Sequence, residues 1–132
     1  MGALASGVSM TIDELAEASG MTAAEIDRLE EFGFVGSRQV AGVRCFDEEA
    51  LLVARLAAAF AKHGIEPRHL KTFKHAAERQ ADLLAQLVMP LLRQRNPQAR
   101  EKAGELLTEL SELASSLQAA LLGASLRDLT GG

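Results

Sequence analysis

The chain has 132 residues, 48% apolar and 24% charged, which fits one folded domain with a modest core and excludes a disordered chain. Aromatic residues are only 4%, with no Trp or Tyr, so Leu and Ala, both good helix formers, must build the interior. The net charge of −4 argues against a general nucleic-acid binder, and the imbalance is local: residues 1–60 hold ten acids against four arginines, residues 61–132 eight acids against ten lysines and arginines.

The opening segment MGALASGVS lacks the basic start and apolar stretch of a secretion signal, and residues 1–10 read as a flexible lead-in. Thr11-Ile-Asp-Glu14 is a capping box, so a short helix is expected from Ile12 to about Ala18, with Gly20 closing it. Thr22-Ala-Ala-Glu25 is a second capping box and starts a helix to about Phe32, stopped by Gly33. Two short helices a few residues apart define a helix-turn-helix, here followed by a segment that reads as a two-stranded wing, with a plain loop as the alternative. Its expected strands are Phe34–Val35 and Val43–Phe46, turning in the Gly36 to Gly42 region.

Asp47 and the acids after it cap a third helix that runs to Gly64, and Ala57, Ala58 and Ala59 allow a neighbouring helix to come close. Glu66-Pro67 opens a fourth, with Leu70, Phe73, Ala77, Leu84, Val88 and Leu91 on one face and a kink or break expected at Pro90. Asn96-Pro97 starts the last and longest helix, where Ala99, Ala103, Leu106, Leu110, Leu113, Leu117 and Ala120 follow a heptad-like spacing widened by Leu107, Ala114 and Leu121. Gly123 is expected to end this helix, leaving residues 124–132 as a tail. The expected organisation is a winged helix-turn-helix-like unit over 11–64 and a helical unit over 65–123, in a mainly α fold. The seam predicts a homodimer through Leu106, Leu110, Leu113, Leu117 and Leu121, although a single seam can also be buried within its own domain.

The stretches MTIDELAEASGMTAAEIDRLEEFGFV and GVRCFDEEALLVARLAAAFAKHGIEPRHLKTF resemble the MerR family of bacterial transcription regulators. That family opens with T-I-x-E-L-A, and its wing carries G-Y-R-x-Y followed by an acid and a helix; here the wing reads Gly42-Val43-Arg44-Cys45-Phe46-Asp47. The family's reading helix usually holds an Arg-Tyr-Tyr stretch, and this chain has Ile26-Asp27-Arg28-Leu29-Glu30 in its place. The segment FAKHGIEPRHLKTFKHAAERQADLLAQLVMPLLRQRNPQAR looks like the C-terminal half of two-part MerR-type regulators of high-GC actinobacteria, in which a standard reader precedes an altered winged unit. The resemblance implies a regulatory, dimerising and effector-sensing domain, with DNA contacted through the full-length regulator. Two other readings stay open. One is direct DNA contact through Arg28, Arg38 and Arg44; the other is a small-molecule pocket between helices, lined by Leu56, Phe60, Phe73 and Ala77.

Little else in the sequence carries chemistry. His63, His69 and His75 lack the three- or four-residue spacing of ligands on one helical face, so no metal is expected and surface or capping roles are. Cys45 stands alone, which excludes an intrachain disulfide and fits a reducing cytoplasm, with a buried neutral thiol as its expected role. Carboxylates such as Glu30 and Glu31 read as a solvated helix face, and no nucleophile motif, phosphate loop or cofactor signature is present, so no enzyme activity is expected. The cations Arg93, Arg95, Arg100 and Lys102 surround Asn96-Pro97 and read as a solvated junction or as a surface for nucleic acid or an acidic partner. No apolar run reaches the roughly eighteen residues of a membrane-spanning helix.

Overall fold

The computed structural model describes residues 9–131. The described chain is mainly α and carries a small three-stranded antiparallel sheet. It forms two compact units, Met1–Lys74 and His75–Gly132.

In the first unit, Met10–Thr11 (β1) runs directly into Ile12–Ser19 (α1). Thr11 Oγ1 accepts from the Glu14 amide at 3.2 Å, and the Glu14 carboxylate accepts from the Thr11 amide at 2.9 Å. Ala23–Glu31 (α2) is opened in the same way by Thr22 and Glu25, at 3.1 and 2.8 Å. Gly20 and Gly33 follow the two helices with φ of +81° and +80°, the left-handed geometry that ends a helix without a Cβ clash. Arg38–Val40 (β2) and Val43–Phe46 (β3) form a hairpin whose two central residues, Ala41 and Gly42, both have positive φ, as a type I′ turn requires. β1 pairs with the other edge of β3, Met10 opposite Phe46 and Thr11 opposite Cys45, so the strand order is β1-β3-β2.

Glu48–Ala61 (α3) is capped by Asp47, which accepts from the Ala50 amide at 2.9 Å. α1 packs against α3, whose buried stripe is Ala50, Ala54 and Ala57; these small side chains let the two backbones come close. Leu15, Ile26, Leu29 and Phe46 are the largest fully enclosed side chains, joined by Met21, Val35 and Leu70. Each such aliphatic side chain contributes about 1.5–3 kcal/mol on leaving water. α3 also ends α1: Arg55 Nε donates to the Ala18 carbonyl at 3.3 Å, supplying the cation that the last turn of α1 lacks. A 3₁₀ turn, Pro67–Leu70, leads into Lys71–Leu92 (α4), whose first turn belongs to this unit.

The second unit is a helical hairpin of the rest of α4 and Pro97–Arg127 (α5). The helices are antiparallel, since they join at 93–96 while Gln80 donates to Gln118. Asn96 accepts from the Ala99 amide at 2.8 Å to cap α5, and Arg95 before it adopts φ +54°. Val88, Ala99 and Ala103 are buried between the helices, and Leu84, Leu91, Leu106, Leu110 and Ala114 are half-buried.

Several expectations change. Residues 1–8 of the proposed lead-in lie outside the described residues, and Met10 is a strand residue. The first wing strand is Arg38–Val40, not Phe34–Val35; Phe34 instead closes the end of α2, its amide bonding the Leu29 carbonyl at 2.9 Å, and Val35 turns into the core. The alanine stripe that admits a neighbour is 50-54-57, and Ala59 is exposed. α4 runs past Pro90 to Leu92, because a proline in the last turn forfeits one backbone bond near an end that was due anyway. α5 runs through Gly123 to Arg127 and a 3₁₀ turn, Asp128–Thr130, and Gly131 takes the left-handed conformation instead. A helical glycine costs about 1 kcal/mol relative to Ala, too little to stop a helix flanked by Leu and Ala on both sides.

Candidate functional site

The surface that a winged helix-turn-helix turns toward a duplex is made here by α2 and the wing, and its centre is an internal ion cluster. Asp27 and Glu30 lie three residues apart, so one face of α2 carries both. Arg44 leaves β3 toward them, donates to Asp27 at 2.8 Å and forms a second ion pair with Glu30. Residues two apart on a strand share a side, and the Arg44 guanidinium accordingly sits 5.1 Å from the centre of the Phe46 ring. Ser37 at the base of the wing donates to the other Glu30 oxygen at 2.5 Å. The Ser37 hydroxyl, and after it Arg44, hold the Glu30 carboxyl below its ordinary value against the opposing effect of partial burial.

The candidate DNA-contact residues therefore separate. Arg28 and Arg38 are exposed and, among the described residues, make no ion pair; Arg44 is half-buried and spends its charge inside the domain. Counting α2 and the wing, Glu25, Asp27, Glu30 and Glu31 face Arg28, Arg38 and Arg44, a surplus of one negative charge. Duplex DNA carries a phosphate charge per roughly 1.7 Å of axis, and this face offers it little. Glu30 is also not the solvated residue its sequence position suggested. The Asp27–Glu30 spacing opposite a wing arginine is the sequence signal that points to the cluster.

The apolar candidates also separate. Leu56, Phe60 and Phe73 meet with Phe34, Val53, Ala57 and Leu70 around a hollow of about 110 Å³, where the Phe60 and Phe73 ring centres are 5.7 Å apart. Ala77 does not line it. The volume falls well short of the roughly 300–1,000 Å³ of small-molecule sites. A wider cleft of about 360 Å³ lies beside the helix-turn-helix bend, with Arg55, Lys62 and Glu25 around an alanine floor; the sequence offered no spacing signal for it.

On α5, Leu106 and Leu110 are half-buried in the hairpin, whereas Leu113, Leu117 and Leu121 are each about 60% exposed. The contact with α4 follows 99-103-106-110-114-118, a spacing that drifts to Gln118 and leaves the later leucines uncovered beside it. Leu83 and Leu87 on α4 are more than half exposed as well. His69 accepts from the Glu66 amide at 2.9 Å and so caps the 3₁₀ turn. Cys45 is a free, half-buried thiol. Among the described residues no cluster of His, Cys, Asp or Glu has metal-binding geometry, and Arg93, Arg95, Arg100 and Lys102 are exposed without ion pairs. No helix of the described residues is long and apolar enough to cross a membrane.

A winged helix-turn-helix followed by a leucine-rich helical hairpin places the chain among mainly α domains built on a DNA-reading scaffold. It belongs to the family described as Rv1828-like, C-terminal domain, which residues 8–130 match. It is similar to two proteins named as HTH-type transcriptional regulators, Rv1828 of Mycobacterium tuberculosis and Mb1859 of Mycobacterium bovis. Each is 42% identical over 84 residues, which cover 64% of this chain and 34% of the relative. The chain thus matches about a third of the length of these curated relatives, and both are named as regulators of transcription, not as enzymes.

Proposed function

We propose that this chain is the regulatory and dimerisation domain of a MerR-type bacterial transcription regulator, acting in the cytoplasm, with DNA read by another part of the full-length protein. The observation that carries the reading is the run of uncovered leucines on a 31-residue helix: Leu113, Leu117 and Leu121 on α5. A second copy laying its own α5 along this face removes that surface from water, at about 25 cal/mol per Å² of apolar area. The surplus negative charge around α2 supports assigning DNA contact elsewhere. Replacing both Leu113 and Leu117 with Glu tests the proposal, because both are exposed in the single chain and the hairpin keeps its own seam. Light scattering should give a dimer for the wild type and a monomer of unchanged helicity for the variant. A wild type that stays monomeric at high concentration defeats the dimer.

A second reading, small-molecule sensing, rests on the open cleft of about 360 Å³ beside the helix-turn-helix bend, which is roomier than the hollow of about 110 Å³ at Leu56, Phe60 and Phe73. Thermal-shift measurement against metabolite sets addresses it: a ligand at 100 times its dissociation constant adds about 2.7 kcal/mol. Shifts that vanish on Ala59→Leu, which fills the cleft, locate the site there.

A further inference from the structure

We propose that Asp27 and Glu30 hold Arg44 in place of phosphate oxygens, so that the winged face is a self-blocked surface for a duplex backbone. The inference rests on the reading that this unit is withheld from DNA, and it names the contact that withholds it. Arg44 lies on β3 of the wing, the part of this scaffold that reaches toward a backbone, and its guanidinium donates to two separate carboxylates on α2. Asp27 takes one terminal nitrogen of the guanidinium and Glu30 the other, so the two nitrogens that would face a phosphate are already engaged and a backbone must displace the acids to use them. The pair is held from behind as well. Ser37 fixes Glu30 by a 2.5 Å hydrogen bond, and the Phe46 ring, itself buried in the core, lies under the guanidinium at 5.1 Å. The acids thus do more than repel at a distance: they occupy the one wing cation with a built-in orientation. Among the described residues Arg28 and Arg38 make no ion pair, and they stand against Glu25 and Glu31.

The test uses the whole 132-residue chain. Asp27→Asn with Glu30→Gln keeps the side-chain shapes and removes both charges, turning a surplus of one acid on this face into a surplus of one arginine. Binding to a short mixed-sequence duplex at low salt is followed by fluorescence anisotropy, with circular dichroism to check the fold. The double variant should bind about tenfold or more tighter than wild type, with a salt dependence steeper by about 0.9 for the added phosphate contact. The same pair of substitutions made on an Arg44→Gln chain should give little gain. An affinity unchanged by the double variant overturns the latch, as does an equal gain without Arg44, which marks a general charge effect. Tight binding by the wild type instead removes the reading beneath it, so the two failures are told apart. If the double variant does not fold, Asp27→Asn alone, at a side chain 54% exposed, carries the same comparison.

Discussion

Ala41 sits at φ +52° in the wing turn, where its Cβ crowds the backbone at a cost of roughly 1–2 kcal/mol. Ala41→Gly should therefore raise stability by about 0.5–1 kcal/mol after the glycine's greater freedom in the unfolded chain is set against the relief. Chemical denaturation reads this directly, and a loss of stability contradicts the assigned turn. Glu30 gives a pH dependence. Its folded-state carboxyl is held below the ordinary value of 4.5 by Ser37 first and Arg44 second. A depressed carboxylate stabilises above its unfolded value and loses that contribution as pH falls through the folded one. Ser37→Ala should destabilise at neutral pH and matter progressively less as the solution is acidified below about 4.5. A Ser37→Ala effect that is flat from pH 7 down to acid unfolding argues against the bond.

At the scale of elements, legibility followed the chemistry that acts locally. The two capping boxes could be read from Thr11, Glu14, Thr22 and Glu25 because a capping box spans four residues and answers to side chains within that span. Thr22→Ala should cost about 1 kcal/mol, seen as a lowered melting temperature with native helicity kept well below it. The wing was misplaced because its register counts back from the Ala41–Gly42 turn: Val40 opposes Val43, Gln39 opposes Arg44 and Arg38 opposes Cys45. Two of those three β2 residues are polar, and strand patterning passed them over for the apolar Phe34 and Val35. β1 has two residues, too few for any periodicity, and forms only because β3 offers it an edge. The ion cluster was hidden for a related reason. Its members sit at 27, 30, 37 and 44, and only the folded hairpin brings the last two back to α2.

For the whole molecule, the balance between seam and surface decides behaviour. The α5 heptad pattern was visible, but α4 takes Leu106 and Leu110 while Leu113, Leu117 and Leu121 remain uncovered; sequence spacing alone does not tell the covered part of one stripe from the uncovered part. If the proposed dimer forms, mass action ties folding to assembly, and the melting temperature should rise with protein concentration. A melting temperature independent of concentration, together with a monomer mass, removes the dimer. The relatives are about three times as long as the segment they share with this chain.

The bend between α1 and α2 owes its integrity to residues far downstream of it. Arg55 reaches back 37 positions to the Ala18 carbonyl in the last turn of α1, and Ala50, Ala54 and Ala57 provide the wall that α1 leans on. A peptide excised at 11–46 retains both threonine caps, the wing and Arg44, yet its first helix should fray from the C-terminal end and its amides should exchange rapidly with solvent. Lengthening the excision to residue 74 restores that wall along with Leu70, and slow amide exchange should return to Leu15 and Ile26 together.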